Sequence, residues 1–133
     1  MNTVWMNRLQ VYIESELNDA VLYRELAKKA VNQIDRQLLL EFAEDEQAHA
    51  QEFQKLYRQM FNQSYNPSVS KPSLDEPFAD ILRNRVLDES GDFHKYSLAY
   101  LEAKNDALKK QLYHTLTDEN VHTMRLLYML SRY

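Results

Sequence analysis

Two Glu-x-x-His motifs, one in each half of this 133-residue sequence, could bind metal ions. A residue and the third residue after it share one face of a helix, so each motif can present a carboxylate and an imidazole to the same ion. A single glutamate lies thirty residues before the glutamate of each motif. Four carboxylates and two imidazoles in this pattern predict a site for two divalent ions. The six candidate ligands are Glu16, Glu46, His49, Glu89, Glu119 and His122.

The two halves of the sequence form a weak internal repeat. Residues 3–60 align with residues 76–133 without a gap, and ten aligned positions are identical. Seven of the ten pairs are polar, whereas a repeat kept only for packing would have retained apolar pairs. The pattern predicts two helical hairpins related by a pseudo-twofold axis that share one polar feature. The polar pairs are Glu16/Glu89, Asp19/Asp92, Tyr23/Tyr96, Asn32/Asn105, Asp45/Asp118, Glu46/Glu119 and His49/His122.

The candidate ligands fall on the apolar stripes of the predicted helices. Glu16 follows Ile13, and Glu89 follows Val86, at helical spacing. Buried carboxylates without cations are very costly, and no lysine or arginine is assigned to these stripes. Two divalent ions would neutralise the four carboxylates, and oxygen-rich ligation with one imidazole per ion suits iron or manganese. A surface Glu–His pair explains either motif alone, but not the inward position of all six groups.

Four long helices are the elements that must position these groups. The sequence has one glycine and three prolines, too few for the turns of an all-β fold. Apolar residues recur at steps of three and four in every quarter of the chain. Breaks are predicted near Asn32 and Asn105, because asparagine tolerates helix ends better than helix interiors. Each break lies midway between a single glutamate and the next Glu-x-x-His motif, so the two should lie level in the hairpin.

A polar stretch separates the two hairpins. Residues 62–74 are rich in Ser, Asn and Pro, which predicts a connector between hairpins of about residues 3–61 and 75–132. The connector is longer than a bundle hairpin needs, so it should cross over between the hairpins. The expected fold is an all-α four-helix bundle that forms a single domain over residues 1–133.

The composition excludes several other classes of protein. The chain has no cysteine, which excludes disulfides, zinc fingers, iron–sulfur clusters and a thiol nucleophile. A net charge of −4 argues against nucleic-acid binding, and no apolar run is long enough to span a membrane. The first residues lack the apolar segment of a signal peptide, so the expected location is the cytoplasm.

The six-residue motif resembles that of the ferritin-like di-iron carboxylate proteins, for which it is specific. The hairpin symmetry, the bundle length and Tyr23, seven residues after Glu16, resemble the rubrerythrin branch in particular. The resemblance covers nearly the whole chain and implies a ferritin-like bundle that binds two iron ions. The implied roles are bridging for Glu46 and Glu119, terminal for Glu16 and Glu89, and one imidazole per ion for His49 and His122.

For the rubrerythrin branch, the resemblance implies reduction of hydrogen peroxide by the diferrous centre. Rubrerythrins usually carry a rubredoxin domain with four cysteines, which this chain lacks, so an external electron donor is expected. They also carry an extra glutamate three residues after the third-helix glutamate. That position is Asp92 here, shorter by one methylene, and we expect Asp92 to be a weak or redox-dependent ligand.

Two aspartates are expected to support the histidine ligands. Metal-bound histidine usually donates its other N–H to a carboxylate, which fixes the tautomer and the orientation of the ring. The resemblance implies that Asp45 serves His122 and that Asp118 serves His49, across the bundle.

Two tyrosines and the only glycine are the remaining candidates near the site. Tyr23 and Tyr96 are expected to hydrogen-bond to ligand carboxylates, and with Asp92 they are the candidate catalytic residues. Gly91 predicts a local bulge, a close approach of helices or a small defect that the helix tolerates. Nine tyrosines and five phenylalanines predict either a well-filled core or a buried oligomer face, and the second would make a homodimer. The tyrosines on outer stripes, which exceed what one bundle needs, are Tyr12, Tyr57 and Tyr65.

Three functions are consistent with these features. The first is a di-iron oxidoreductase that reduces peroxide. The second is a ferroxidase or iron-handling protein that oxidises Fe(II) with oxygen or peroxide. The third is a non-catalytic, metal-stabilised bundle, which would hold a metal that does not change its redox state.

Overall fold

The protein forms a bundle of four helices. A computed structural model describes residues 3–133. The helices are α1 (Thr3–Lys29), α2 (Gln33–Phe61), α3 (Phe78–Glu102) and α4 (Asp106–Leu130). α1 packs on α2 and α3 packs on α4 to form two hairpins, which meet chiefly where α2 packs on α4. The all-α, four-helix architecture predicted from the sequence is confirmed.

Asparagine caps mark both hairpin turns. The Asn32 side chain accepts hydrogen bonds from the backbone N–H groups of Ile34 and Asp35, and Asn105 accepts one from Leu108. These bonds satisfy N–H groups that the first turn of a helix leaves without a helical partner. α2 and α4 therefore begin next to the asparagines at which the breaks were predicted.

The connector crosses from one end of the bundle to the other. It begins at Asn62, whose left-handed backbone (φ 56°) ends α2, and Pro77 directly precedes α3. The connector therefore covers residues 62–77, three more than predicted at its C-terminal end. Lys71 pairs with Glu25 of α1 at 3.3 Å, so the connector runs along the first hairpin.

Two apolar clusters fill the bundle on either side of the candidate ligands. One cluster contains Leu9, Tyr12, Ile13, Phe53, Leu56, Tyr57, Phe61, Tyr96, Ala99, Ala103, Leu108 and Leu112. The other contains Tyr23, Leu26, Ala27, Ala30, Leu39, Phe42, Ala43, Ile81, Leu82, Leu126 and Met129. Along every helix the candidate ligands lie between the residues of the two clusters, so they form one polar layer between two apolar ones.

The tyrosines assigned to outer stripes lie elsewhere. Tyr12 and Tyr57 are buried in this chain's own core, and Tyr65 packs on Tyr57 with 5.8 Å between ring centroids. These three tyrosines therefore pack within one chain, and the homodimer stays a prediction.

At Gly91 the structure agrees with one of the three predicted alternatives, a small defect that the helix tolerates. α3 is a continuous α-helix through Gly91, and a Cβ atom built there meets no heavy atom within 4 Å. The glycine is exposed and lines an open groove of about 550 Å³ between α1 and α3, beside Tyr12 and Lys95. It produces neither a bulge nor a close approach of helices. Among residues 3–133, no helix is long and apolar enough to cross a membrane.

Candidate metal centre

The structure brings all six candidate ligands into the polar layer at the middle of the bundle. Glutamates come from every helix, and the two histidines lie one turn after the glutamates of α2 and α4. All six side chains are fully buried. In each hairpin, the single glutamate and the Glu-x-x-His motif lie about equally many residues from the turn, so they lie at one level, as predicted from the sequence.

The six residues form two overlapping ligand sets. In each set, every residue offers one ligand atom, and these atoms all lie within 4.8 Å of one another. One set is Glu16, Glu46, His49 and Glu119, and the other is Glu46, Glu89, Glu119 and His122. Glu46 and Glu119 belong to both sets, so they could bridge two ions, while Glu16 and Glu89 each belong to one.

Buried polar atoms without partners show that a metal fits this layer. Within the described part of the chain, no hydrogen bond reaches either carboxylate oxygen of Glu46 or Glu119, Oε2 of Glu89, or Nδ1 of His122. Such groups are rare in folded proteins, because burial without a partner is costly. His122 Nδ1 lies 3.5–3.7 Å from carboxylate oxygens of all three glutamates in its set. These atoms are too far apart to hydrogen-bond, and close enough to share one ion.

Both histidines are held by an aspartate of the opposite hairpin. His49 Nε2 lies 2.6 Å from Asp118 Oδ2, and His122 Nε2 lies 2.8 Å from Asp45 Oδ2. This arrangement leaves Nδ1 of each ring facing the glutamates. Nδ1 is therefore the atom that each histidine offers to a metal.

Replacing Asp45 by Ala is expected to weaken metal binding at His122, and not at His49 on its own helix. Loss of a carboxylate that orients a ligating histidine typically costs about 10–100-fold in affinity. Cobalt(II) titration of the metal-free protein measures the effect, and Glu44→Ala, at an exposed neighbouring position, is the control. Unchanged binding in Asp45→Ala would contradict the assignment.

Two tyrosines hold the terminal glutamates. The Tyr23 hydroxyl donates to Glu89 Oε1 at 2.6 Å, and the Tyr96 hydroxyl donates to Glu16 Oε2 at 3.1 Å. Burial and the neighbouring carboxylates raise the pKa of both phenols well above 10. Both therefore stay protonated and remain hydrogen-bond donors at neutral pH.

The metal-free centre holds protons in place of cations. Burial and the surrounding glutamates raise the pKa of Glu46 and Glu119 well above the usual value. Burial opposes protonation of the histidines, but adjacent carboxylates outweigh it and raise the pKa of His49 to about 12 and that of His122 to about 10. Burial also raises the pKa of Glu89, yet the nearby His122 and Arg85 cations lower it to about 2. Metal ions must therefore displace protons.

Asp19 and Asp92 lie beside the buried ligands, and their side chains are partly exposed. Their carboxylates form a group with those of Glu16 and Glu119, again within 4.8 Å, and their side chains are 13% and 18% exposed. Burial raises the pKa of Asp19 to about 7 and that of Asp92 to about 6. Sequence reasoning missed Asp19 as a site residue, although its identity with Asp92 in the repeat was a signal.

A buried arginine also lies at the centre, contrary to the sequence prediction that no cation falls on the inward stripes. Arg85 pairs with Asp19 at 3.1 Å and approaches Glu89 at 3.5 Å. Arg85 and Asp19 pair with each other outside the two ligand sets, whose four glutamates still match two divalent ions. The exposed His114 lies near the centre as well, with its Nε2 atom 3.5 Å from Asp118 Oδ2.

Comparison with known proteins agrees with this geometry. A solved structure described as "Hypothetical Protein Pfu-1136390-001 From Pyrococcus furiosus" matches with a TM-score of 0.80 and 21% identity. The match covers 92% of this chain and 85% of that one, and it shows a shared fold. The comparison with curated proteins gave no match. The family model for rubrerythrin matches residues 7–127. The chain therefore belongs to the rubrerythrin family.

Proposed function

We propose that this protein is a di-iron oxidoreductase that reduces hydrogen peroxide with electrons from an external donor. The observation that carries the proposal is the pair of buried ligand sets that share Glu46 and Glu119. Carboxylate oxygens with one imidazole per ion suit iron, with manganese as the alternative metal. When bound, two ferrous ions would supply the two electrons that cleave the O–O bond, and the donor would then restore them.

The residues around the ligands fit the proton requirement of this reaction. Reduction of one hydrogen peroxide to two waters consumes two electrons and two protons. Asp19 and Asp92 have pKa values of about 7 and 6 in the metal-free protein, and their side chains are partly exposed, so they are suited to deliver protons to the centre. Tyr23 and Tyr96 orient the terminal glutamates, and the apolar clusters above and below exclude bulk water.

A ferroxidase is the second candidate, and the same two aspartates favour it. Asp19 and Asp92 join Glu16 and Glu119 in a group of carboxylates, which would attract Fe(II) as a substrate. Oxidation by oxygen followed by release of iron would distinguish this function from peroxide reduction.

Stopped-flow oxidation of the iron-loaded protein tests these functions directly. Metal-free protein is loaded anaerobically with two equivalents of Fe(II) and mixed with either hydrogen peroxide or oxygen. Faster oxidation by peroxide, with retention of iron, is expected. Faster oxidation by oxygen with release of Fe(III) would favour the ferroxidase, and absence of redox cycling would favour a structural metal. Glu119→Gln, which lacks a shared ligand, is the control for iron that reacts outside the centre.

Substitution of Asp92 is expected to change the choice of oxidant. Asp92→Ala should slow oxidation by peroxide about tenfold or more, since it removes a proton donor while the six ligands remain. Asp92→Glu, with a longer side chain, should speed the reaction with peroxide relative to oxygen. Stopped-flow rates with both oxidants measure this effect, and bound iron is counted in parallel. Asp80→Ala, at an exposed carboxylate of the same helix, is the control. Wild-type rates in both Asp92 variants would exclude Asp92 from the mechanism.

A further inference from the structure

Arg85 is a buried cation at one edge of the candidate centre. Its side chain is 7% exposed, and it lies one turn before Glu89 on α3. Nε donates to the Tyr23 hydroxyl at 3.1 Å, and Nη2 lies 3.5 Å from Glu89 Oε1. The guanidinium also pairs with Asp19 at 3.1 Å and with Asp88 at 3.0 Å. A fixed positive charge thus lies beside the terminal ligand of one ligand set.

The other ligand set has no equivalent of Arg85 within the internal repeat. The repeat aligns Arg85 with Tyr12, which packs edge-on against Tyr96 with 4.9 Å between ring centroids. Arg85 makes the corresponding contact with Tyr23, its carbon Cζ lying 5.0 Å from the ring centroid. The same location therefore holds a neutral ring in one half of the centre and a cation in the other.

The surrounding charges increase this difference. The carboxylates of Asp19 and Asp92 group with those of Glu16 and Glu119. Asp19 is paired with Arg85, whereas Asp92 adds negative charge on the Glu16 side. On that side Lys95 pairs with Asp92 at 3.5 Å, and the Lys95 side chain is 37% exposed. Solvent screens an exposed charge of this kind far more than it screens buried Arg85.

A group that hydrogen-bonds to a metal ligand usually strengthens metal binding, because it orients the ligand. For Glu89, the Tyr23 hydroxyl already serves that purpose at 2.6 Å. The contact from Arg85, at 3.5 Å, adds little orientation. Its charge acts over a longer range and opposes the approach of a dication.

We propose that Arg85 makes the two metal positions unequal. The ion at Glu89 and His122 binds more weakly than the ion at Glu16 and His49, so the two positions fill in a fixed order. The first ion is resident, whereas the second exchanges with solution. This inference rests on the proposed dimetal centre, but not on its reaction with peroxide.

Cobalt(II) titration of the metal-free protein, followed by calorimetry and visible absorption, tests the proposal. The wild type should bind in two steps whose dissociation constants differ by about tenfold or more. Arg85→Gln should tighten the weaker step by about tenfold and leave the stronger step nearly unchanged. Arg83→Gln, at an exposed arginine of the same helix, should behave as the wild type. His122→Gln should remove the weaker step, and His49→Gln the stronger one.

Two equal steps in the wild type, or a weaker second step in Arg85→Gln, would overturn the proposal. Should Arg85→Gln fail to fold, Asp88→Asn tests the same idea at a side chain that is 62% exposed. That change leaves the Arg85 charge less compensated and should loosen the weaker step, and an unchanged step would count against the proposal. Binding of a single ion would overturn both this inference and the dimetal centre. Two unequal steps without reaction with peroxide would overturn the proposed enzyme alone.

Discussion

Glu119→Gln is expected to abolish the binding of two metal ions while stabilising the metal-free protein above about pH 5. Glu119 belongs to both ligand sets, so its loss removes a ligand from each ion. An amide is a poorer ligand than a carboxylate and leaves the remaining charges unbalanced. Elemental analysis after reconstitution should find less than one ion per chain. Glu16→Gln, which alters one set only, should retain about one.

The gain in stability follows from the raised pKa of Glu119. Burial and the neighbouring glutamates keep its proton bound in the folded protein at pH values where the unfolded chain has released it. The folded state then binds more protons than the unfolded state, so stability falls as pH rises, by about 1.4 kcal/mol per pH unit for one such group. Glutamine carries no titratable proton, so Glu119→Gln removes this contribution to the dependence of stability on pH. Urea unfolding of the metal-free wild type and Glu119→Gln at pH 5 and pH 8 measures the difference in their free energies of unfolding. An equal difference at both pH values would contradict the raised pKa of Glu119.

Removal of metal from the wild type is expected to lower its stability, and to do so more at pH 8 than at pH 5. A ligand that binds only the folded state at about 100 times its Kd adds about 2.7 kcal/mol, and two ions would act together. Differential scanning calorimetry with and without a chelator measures the loss. Glu119→Gln is the control, since a chelator should leave its Tm unchanged. An unchanged Tm in the wild type near pH 7 would contradict the centre.

Rising pH has opposite effects on the stability of the metal-free fold and on the affinity of the centre for metal. The pKa values of His49 and His122 are raised to about 12 and 10, so their stabilising protonation is complete below pH 6.5 and is lost progressively above it. The pKa values of Asp19 and Asp92 are also raised, so their ionisation destabilises the metal-free fold between about pH 4 and pH 7. Metal binding releases these protons and becomes tighter as pH rises. The stability gap between the loaded and metal-free proteins must therefore widen with pH.

The fold and the six ligands could be predicted because both depend on local spacing. Helical periodicity fixes which residues share a face, and a turn at Asn32 or Asn105 fixes which residues of a hairpin lie level. Those two rules place the Glu-x-x-His motifs opposite Glu16 and Glu89 without knowledge of how the hairpins pack.

Arg85 and the tyrosines depend on packing between hairpins, which spacing does not specify. Arg85 shares a helix face with Glu89. The inward faces are predicted from apolar residues, and that pattern does not predict a buried cation. The repeat aligns Arg85 with Tyr12, so it gave no signal of a shared polar role. Tyr57 is predicted on an outer stripe, but the helices packed against α2 set the rotation of α2 about its axis. Tyr57 is buried, and its hydroxyl accepts a hydrogen bond from Gln10.

The reciprocal hydrogen bonds of the centre bear on how such a chain could have originated. Histidine-to-aspartate and tyrosine-to-glutamate bonds run in both directions between the hairpins, so neither hairpin contains a complete site. A lone hairpin of this design would need an identical copy to assemble one, and duplication with fusion joins the copies in one chain. In a dimer of identical hairpins every substitution occurs twice, once beside each ion. Only after fusion can one hairpin acquire an arginine where the other keeps a tyrosine, so that the two metal positions can differ in function.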